Sequence, residues 1–381
     1  MSSYDKPEYR TGGEMKFILF SDLHLDASFT GLGRDGVAAE RRRQALRTTL
    51  RHIIDLAKEV HADAVLCGGD LYEHEHVTDD TQNVLQERFG ELDPMPVYLA
   101  PGNHDWYSNT SVYERAAWTP NVHVFKGARL EPVIVGDGIT LWGAAHRAPA
   151  GTTCFLDDFR AQGPGVHLAL FHGSERGWFD EQRDGKNPHA PFDERQIAGS
   201  GLHHVFLGHF HRAKAAPSHT YPGNPCPLTF GEDPGRGAVV VTVTPDGQVS
   251  RDWQSVAAYQ VHDIVVDVTG CTSREGIRSL VAAKVQGQTG SARVALIGEL
   301  HADVDLSLGD LAYERGTLDA LVLHADELRI AYDVERLSQE QTVQGQFVRD
   351  VRAADLDPET RQRVLVTGLR ALHGRKDLEV V

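Results

Sequence analysis

Cysteine is scarce and scattered in this chain: Cys67, Cys154, Cys226 and Cys271 stand far apart, with no CxxC pair among them. That spacing argues against a thiolate zinc site or a disulfide scaffold and fits a reducing, cytoplasmic setting. Long apolar runs are missing too. No stretch approaches the roughly 20 residues that a membrane-spanning helix needs, so no membrane role is expected. The N-terminus, MSSYDKPEYRTGGEMKF, is polar and has no signal-peptide core. Positive charge is in deficit, with 38 Lys+Arg against 54 Asp+Glu and a net charge of −16. Non-specific nucleic-acid binding normally rests on a basic surface. An acidic chain that works on nucleic acid must gather positive charge near its reacting centre or borrow it from a partner. The plainer consequence of −16 is solubility.

What is present is ordinary for a large globular protein: 381 residues, 41% hydrophobic and 24% charged. That is enough to bury a full core and to divide into two or three domains. Residues 1–14 read as a disordered lead-in. MKFILF (15–20) is a buried strand that ends at SDLH. From Ala38 to Val60, Leu46, Leu50, Ile53, Ile54, Ala57 and Val60 recur at helical spacing. ADAVLCGGD (62–70) is a strand running into a Gly turn, a second helix follows around 78–92, and PVYLAPGNHD (96–105) is again strand then loop. This alternation predicts an α/β core with parallel strand pairs. VHVF, PVIV, ITLWGAA, VHLALFH, HVFLGHFH and GAVVVTVTP supply a second sheet, giving a two-sheet sandwich flanked by helices over 15–258. Residues 259–335 read as a small α/β domain with strands VHDIVVDVT and ARVALIGELH and further strands from LDALVLH to LRIAYDV. The segment 336–381 is helical, with Asp357-Pro358-Glu359 as a helix start.

Chemistry concentrates at the strand ends. Asp22 and His24 lie in SDLH, Asp70 in GGD, Asn103 in GNHD, His172 in FHG, and His209 and His211 in GHFH. In open α/β sheets, ligands collect outside the carboxyl ends of strands. In extended backbone, residues two apart point the same way, so Asp22/His24 and His209/His211 each present two donors together. Oxygen donors mixed with imidazoles suit Mn²⁺, Fe²⁺ or Zn²⁺. Seven donors are too many for one ion and suit two that share a carboxylate. Two ions roughly 3.5–4 Å apart form a clamp for in-line attack on a phosphoester. Glycines 68, 69, 102 and 208 permit the tight turns and close approach that such loops need.

SDLH, GGD, GNHD, FHG and GHFH, in that order, resemble the signature of the calcineurin-like metallophosphoesterase superfamily over residues 17–255. SDLHLDASFTGL, the Arg-rich helix after it and ADAVLCGGDLYE resemble the SbcD/YhaO branch of DNA-repair nucleases. The resemblance implies one metal held by Asp22, His24 and His211 and another by Asn103, His172 and His209, with Asp70 bridging. Mn²⁺ is the first expectation, with Fe²⁺, Zn²⁺ or Mg²⁺ as alternatives. It further implies that His104 contacts the scissile phosphate as general acid and that Asp105 orients it. The small domain would be a capping domain, and the C-terminal helices would dock on an SMC-like (SbcC/YhaN-type) ATPase. A homodimer and DNA as substrate complete what the resemblance implies. The expected activity is a 3′→5′ exonuclease, with endonuclease action as an addition. A phosphodiesterase or phosphatase for small nucleotides is the alternative, and it accounts for the acidity. A non-catalytic scaffold is disfavoured because all seven donors and His104 are present.

With 20 histidines in the chain, decoys must be separated from donors. His74 and His76 read as a loop at the mouth of the site, and His203 and His204 as structural. His189 and Lys186 sit on a loop between two clusters, where substrate could pass. His146, after strand ITLWGAA, and Arg212, beside His211, are candidate phosphate contacts. Arg43, Arg47 and Arg51, following Arg41 and Arg42, form a basic stripe one turn apart. It reads either as a backbone contact to nucleic acid or, the plainer reading, as a helix face balanced by acids.

Overall fold

The computed structural model describes residues 13–29, 36–178, 188–232 and 236–374. Residues 1–12 of the expected lead-in and Lys186 lie outside them. Contacts gather the chain into two compact units that change over between Tyr259 and Gln260.

In the first unit, β1 (Met15–Phe20), β2 (Ala64–Cys67), β3 (Val97–Leu99) and β4 (Val122–Val124) run parallel. Beyond β1 the sheet continues antiparallel through β11 (Ala238–Val243) and β12 (Val249–Gln254). The second sheet has the order β5 (Glu131–Gly136), β6 (Ile139–Gly143), β7 (Val166–His172), β8 (His204–Gly208), β10 (His219–Tyr221), β9 (Lys214–Ala215). Its inner members β6, β7, β8 and β10 are parallel. Strand alternation builds the sandwich. Leu168 and Leu170 of β7 join Phe17, Leu19, Leu66 and Val241 between the sheets. Ala169 and Phe171 face the other way, into a cluster with Phe155, Phe192, Ile197 and Phe210. Both faces of β7 are covered, which is why VHLALFH reads as a nearly continuous apolar run.

Helix α1 (Val37–Glu59) buries Leu46, Leu50, Ile53, Ile54 and Ala57, the stripe that its spacing predicts. Thr78 caps α2 (Asp79–Gly90) by accepting from Thr81 N, and the short α3 (Val112–Arg115) and α4 (Glu194–Ser200) lie in the connections.

His204 lies in β8, fully buried, with Nε2 2.8 Å from Thr220 Oγ1. Burial, aided by Arg251 and His219, lowers its pKa to about 3. The unfolded chain binds this proton near the ordinary value of about 6.5, whereas the native chain excludes it. The stability that His204 contributes is therefore intact above pH ~6.5 and is lost as pH falls toward 3. The slope is about 1.4 kcal/mol per pH unit. Denaturation midpoints of wild type and His204→Gln, compared at pH 7.5 and 5.0, should show a smaller acid loss in the variant.

In the second unit, β13 (Val261–Asp267), β14 (Ser291–His301) and β15 (Ala320–Ala331) form a parallel sheet. Helix α5 (Arg274–Val285) buries Ile277, Val281 and Val285 in a cluster with Val294, Leu296 and Leu321; the four-residue α6 (Leu308–Leu311) adds Leu311. The separate strands expected from LDALVLH to LRIAYDV are one strand. Its register shifts between Ala295 and Ile297, so an extra residue near Ala325 and Asp326 is absorbed as a bulge.

The C-terminal segment is three helices: α7 (Val334–Gln339), α8 (Val343–Ala353) and α9 (Pro358–Leu372). Thr342 accepts from Gly345 N at 3.1 Å, and Asp357 accepts from Thr360 N at 2.9 Å. Those caps explain where the helices restart. Leu337, Val348, Val351, Leu365 and Leu369 pack on one another. No helix among the described residues is long and apolar enough to cross a membrane.

Candidate metal centre

The five clusters follow the carboxyl ends of β1, β2, β3, β7 and β8. β1 and β2 stay laced together past their ends. Asp22 N donates to Gly69 O at 2.9 Å, His24 N to Asp70 O at 3.0 Å, and Glu73 N to Leu25 O at 2.9 Å. The backbone there is not extended, contrary to the expected reason for pairing Asp22 with His24. Asp22, His24 and Asp70 sit at φ of 54°, 50° and 52°, and His209 at 109°. Left-handed backbone costs a non-glycine residue about 1–3 kcal/mol, and the lacing bonds hold it in place. Asp and His are among the residues that tolerate this region best. Gly68 and Gly208 lie back to back where β2 and β8 end. A Cβ on Gly208 would collide with Gly68 O, so the two loops can approach this closely only without side chains.

All seven expected donors meet. Asp22, His24 and His211 offer donor atoms within 4.8 Å of one another, as do Asp22, Asp70 and His172. His172 Nε2 lies 3.2 Å from Asp70 Oδ2 and 3.1 Å from Asn103 Oδ1. His209 stands 5.2 Å from His172 between ring centroids, and its backbone N–H donates to Asp22. Burial alone would raise the Asp70 carboxyl, but His172 and His24 hold it well below the usual carboxylate range.

This set fits divalent ions. Asp22 and Asp70 are almost fully buried, and buried carboxylates persist only when paired or metal-bound. His24 Nε2 is buried with no hydrogen-bond partner among the described residues, 3.7 Å from Asp70 Oδ2. Two carboxylates, one amide and four imidazoles make the donor mixture that borderline divalent ions prefer.

His104 shares a further donor group with His24 and Asp70, but its side chain is 46% exposed. Its Nδ1 lies 2.9 Å from Glu73 Oε2, and its N–H donates to Asp70 Oδ1 at 2.9 Å. Burial works against the charged ring, yet the bond to Glu73 and the charge of Asp70 push its pKa up to about 9.

The expectation that Asp105 orients His104 is corrected here. The Asp105 carboxylate accepts from Gly102 N (2.6 Å), Asp70 N (3.1 Å), Leu71 N (2.6 Å) and Tyr113 OH (2.5 Å). It clamps the GGD loop to the GNHD loop, and Glu73 takes the place beside His104. His146 is corrected as well. It is fully buried, its Nε2 lies 2.8 Å from His172 O, and burial lowers its pKa to about 3. A neutral ring beneath a donor loop supports that loop rather than meeting phosphate.

Arg212 is exposed beside His211. His189 is half-buried, with its ring 5.3 Å from His209. His76 is exposed, and His203 Nδ1 accepts from His167 N. The arginine stripe is largely spent. Arg43 pairs with Glu40 at 2.6 Å, Arg47 pairs with Asp80, and Arg42 is buried with Nη2 on Pro227 O.

Sequence reasoning missed two carboxylates. Glu73 Oε1 lies 2.7 Å from His24 Nδ1, so one side chain serves His24 and His104 together. Glu232 Oε1 lies 3.2 Å from His211 Nδ1, and its other oxygen accepts from Asn224 Nδ2 and Leu228 N, both at 2.7 Å. Such contacts fix which ring nitrogen faces the ion and strengthen it as a ligand. Glu232→Gln is expected to weaken Mn²⁺ binding roughly 10- to 100-fold, measured by calorimetric titration. Unchanged affinity would show that Glu232 acts only within its own loop.

The calcineurin-like phosphoesterase family model matches residues 15–213. The chain is 26% identical to the uncharacterized metallophosphoesterase YhaO of Bacillus subtilis, over 95% of this chain and 86% of that protein. It is 24% identical to the DNA double-strand break repair protein Mre11 of Methanopyrus kandleri, over 70% of this chain and 62% of that protein. Among solved structures, the calcineurin-like phosphoesterase YfkN from Bacillus subtilis aligns with a TM-score of 0.36 and 11% identity, covering 72% of this chain and 97% of that one. The matched span covers just over half of the chain and contains all seven strand-end donors, so this chain belongs to the calcineurin-like phosphoesterases.

Proposed function

We propose that this protein is a DNA nuclease that hydrolyses phosphodiester bonds with two divalent ions, Mn²⁺ foremost. Its expected mode is 3′→5′ exonuclease action, with endonuclease action as an addition. The observation that carries the reading is one centre with seven donors beside a half-exposed His104. Asp22, His24 and His211 would hold one ion, and Asn103, His172 and His209 the other, with Asp70 between them. Bound ions supply Lewis-acid stabilisation of the phosphoryl oxygens and a nucleophile at neutral pH.

The chain's own part is positioning and proton transfer. Glu73 engages His104 Nδ1, which leaves Nε2 to deliver a proton to the leaving oxygen. The choice of DNA rests on the similarity to the Mre11 repair protein. An SMC-like ATPase partner and a homodimer belong to the same reading. Val343, Val364 and Leu372 stay exposed on the C-terminal helices and are available to a partner.

The net charge of −16 and the paired arginines favour a second reading, a phosphodiesterase or phosphatase for small nucleotides. One assay separates the two. Purified protein with Mn²⁺ is offered labelled single- and double-stranded DNA, bis-p-nitrophenyl phosphate and cyclic AMP. Cleavage of DNA is expected. Rapid turnover of cyclic AMP with intact DNA would overturn the nuclease reading and keep the hydrolase.

A further inference from the structure

The ring of His74, the residue after Glu73, stacks on Trp106, with centroids 4.1 Å apart and planes at 29°. Both side chains are half-buried. Their backbones are tied to His104: His74 N donates to His104 O at 2.9 Å, and Trp106 follows two residues after His104. The intervening Asp105 is fully buried and accepts from three backbone N–H groups, so the loop that carries Trp106 has a fixed root. Burial and the nearby Arg115 lower the His74 pKa.

Resting on the phosphoesterase reading above, we propose that Trp106 and His74 form a platform that stacks an unpaired nucleobase next to the scissile phosphate. A group that gives its proton to the leaving oxygen stands on the leaving-group side of the phosphorus. The nucleoside attached to that oxygen therefore lies on the side of His104, whose backbone carbonyl accepts from His74 N and whose loop carries Trp106. Stacking is tolerant of base identity, because every base has a π face. It also needs no positive charge. A chain with a net charge of −16, whose Arg43 and Arg47 are already paired, can thus hold a nucleic-acid end through its bases. Bases inside a duplex are already stacked, so the platform selects a frayed or single-stranded end.

The test is binding of fluorescent single-stranded oligonucleotides that differ only in their bases. One carries normal bases; the other has the same length and phosphates but abasic sugars throughout. Anisotropy is read in Ca²⁺ so that neither is consumed, for wild type, Trp106→Ala and Trp106→Phe. Wild type should prefer the base-bearing strand by roughly 5- to 150-fold, the range of one stacked base. Trp106→Ala should lose most of that preference and Trp106→Phe should keep it. Equal binding of both strands by wild type, or an undiminished preference in Trp106→Ala, overturns the platform. Should Trp106→Ala unfold on melting, His74→Ala removes the other half of the stack and bears the same expectation. Hydrolysis of bis-p-nitrophenyl phosphate by wild type in Mn²⁺ is measured alongside. Its absence would count against the phosphoesterase reading, whereas its presence with equal strand binding would count against the platform alone.

Discussion

Asp70→Asn is expected to weaken both Mn²⁺ sites together and to cut turnover of bis-p-nitrophenyl phosphate by roughly 10³-fold or more. That corresponds to the several kcal/mol that bound ions supply in such sites. Asparagine is the proper replacement because residue 70 sits at φ 52°, where Asn is tolerated and alanine would add strain. The variant keeps an oxygen that can accept from His104 N, as Asp70 Oδ1 does now at 2.9 Å. What it loses is the charge between His172 and His24, which lie 3.2 and 3.7 Å from Asp70 Oδ2. Metal content by mass spectrometry reads the result directly. Retention of two tightly bound ions would contradict a bridging Asp70, and loss of exactly one would assign Asp70 to a single ion.

The fold and the convergence of the seven candidate donors were legible in the sequence for a shared reason: each rests on a local pattern. Leu46, Leu50, Ile53 and Ala57 mark α1 by period, and the apolar runs before SDLH, GGD and FHG mark strands covered on both faces. The donors follow those runs within a few residues. Groups that act from a distance were not legible. Glu232 reaches His211 from 21 residues away, and Glu73 reaches His24 from 49. Glu73 offered one signal, since it lies three residues after Asp70 in the same loop.

Adjacency misled in the case of Asp105. It neighbours His104 in sequence, but its side chain turns inward to satisfy N–H groups of two loops. His146 misled similarly, because a polar residue after a strand reads the same whether it faces a cleft or the core. The left-handed conformations at Asp22, His24 and Asp70 were hidden as well. They arise because the loops are laced to one another, a tertiary constraint with no periodicity.

On the proposed nuclease reading, with His104 as general acid, His104→Ala is expected to lower kcat on DNA by roughly 10²–10⁴-fold, while metal content stays at the wild-type level. The geometry separates these two outcomes. The His104 imidazole is 46% exposed and engages Glu73, whereas the contact to Asp70 is made by the backbone N–H, which alanine retains. Leaving-group dependence sharpens the test. A p-nitrophenolate departs without a proton, so the same variant should lose far less on bis-p-nitrophenyl phosphate than on DNA, whose leaving alkoxide needs one. Glu73→Gln removes the charge behind both His104 and His24. Its effect should therefore overlap that of His104→Ala through His104 and add a loss of metal affinity through His24. His24, Asp70 and His104 can also be read as a ligand trio by distance alone. If His104→Ala loses metal and slows both substrates equally, that trio is the correct description and the proton must come from elsewhere.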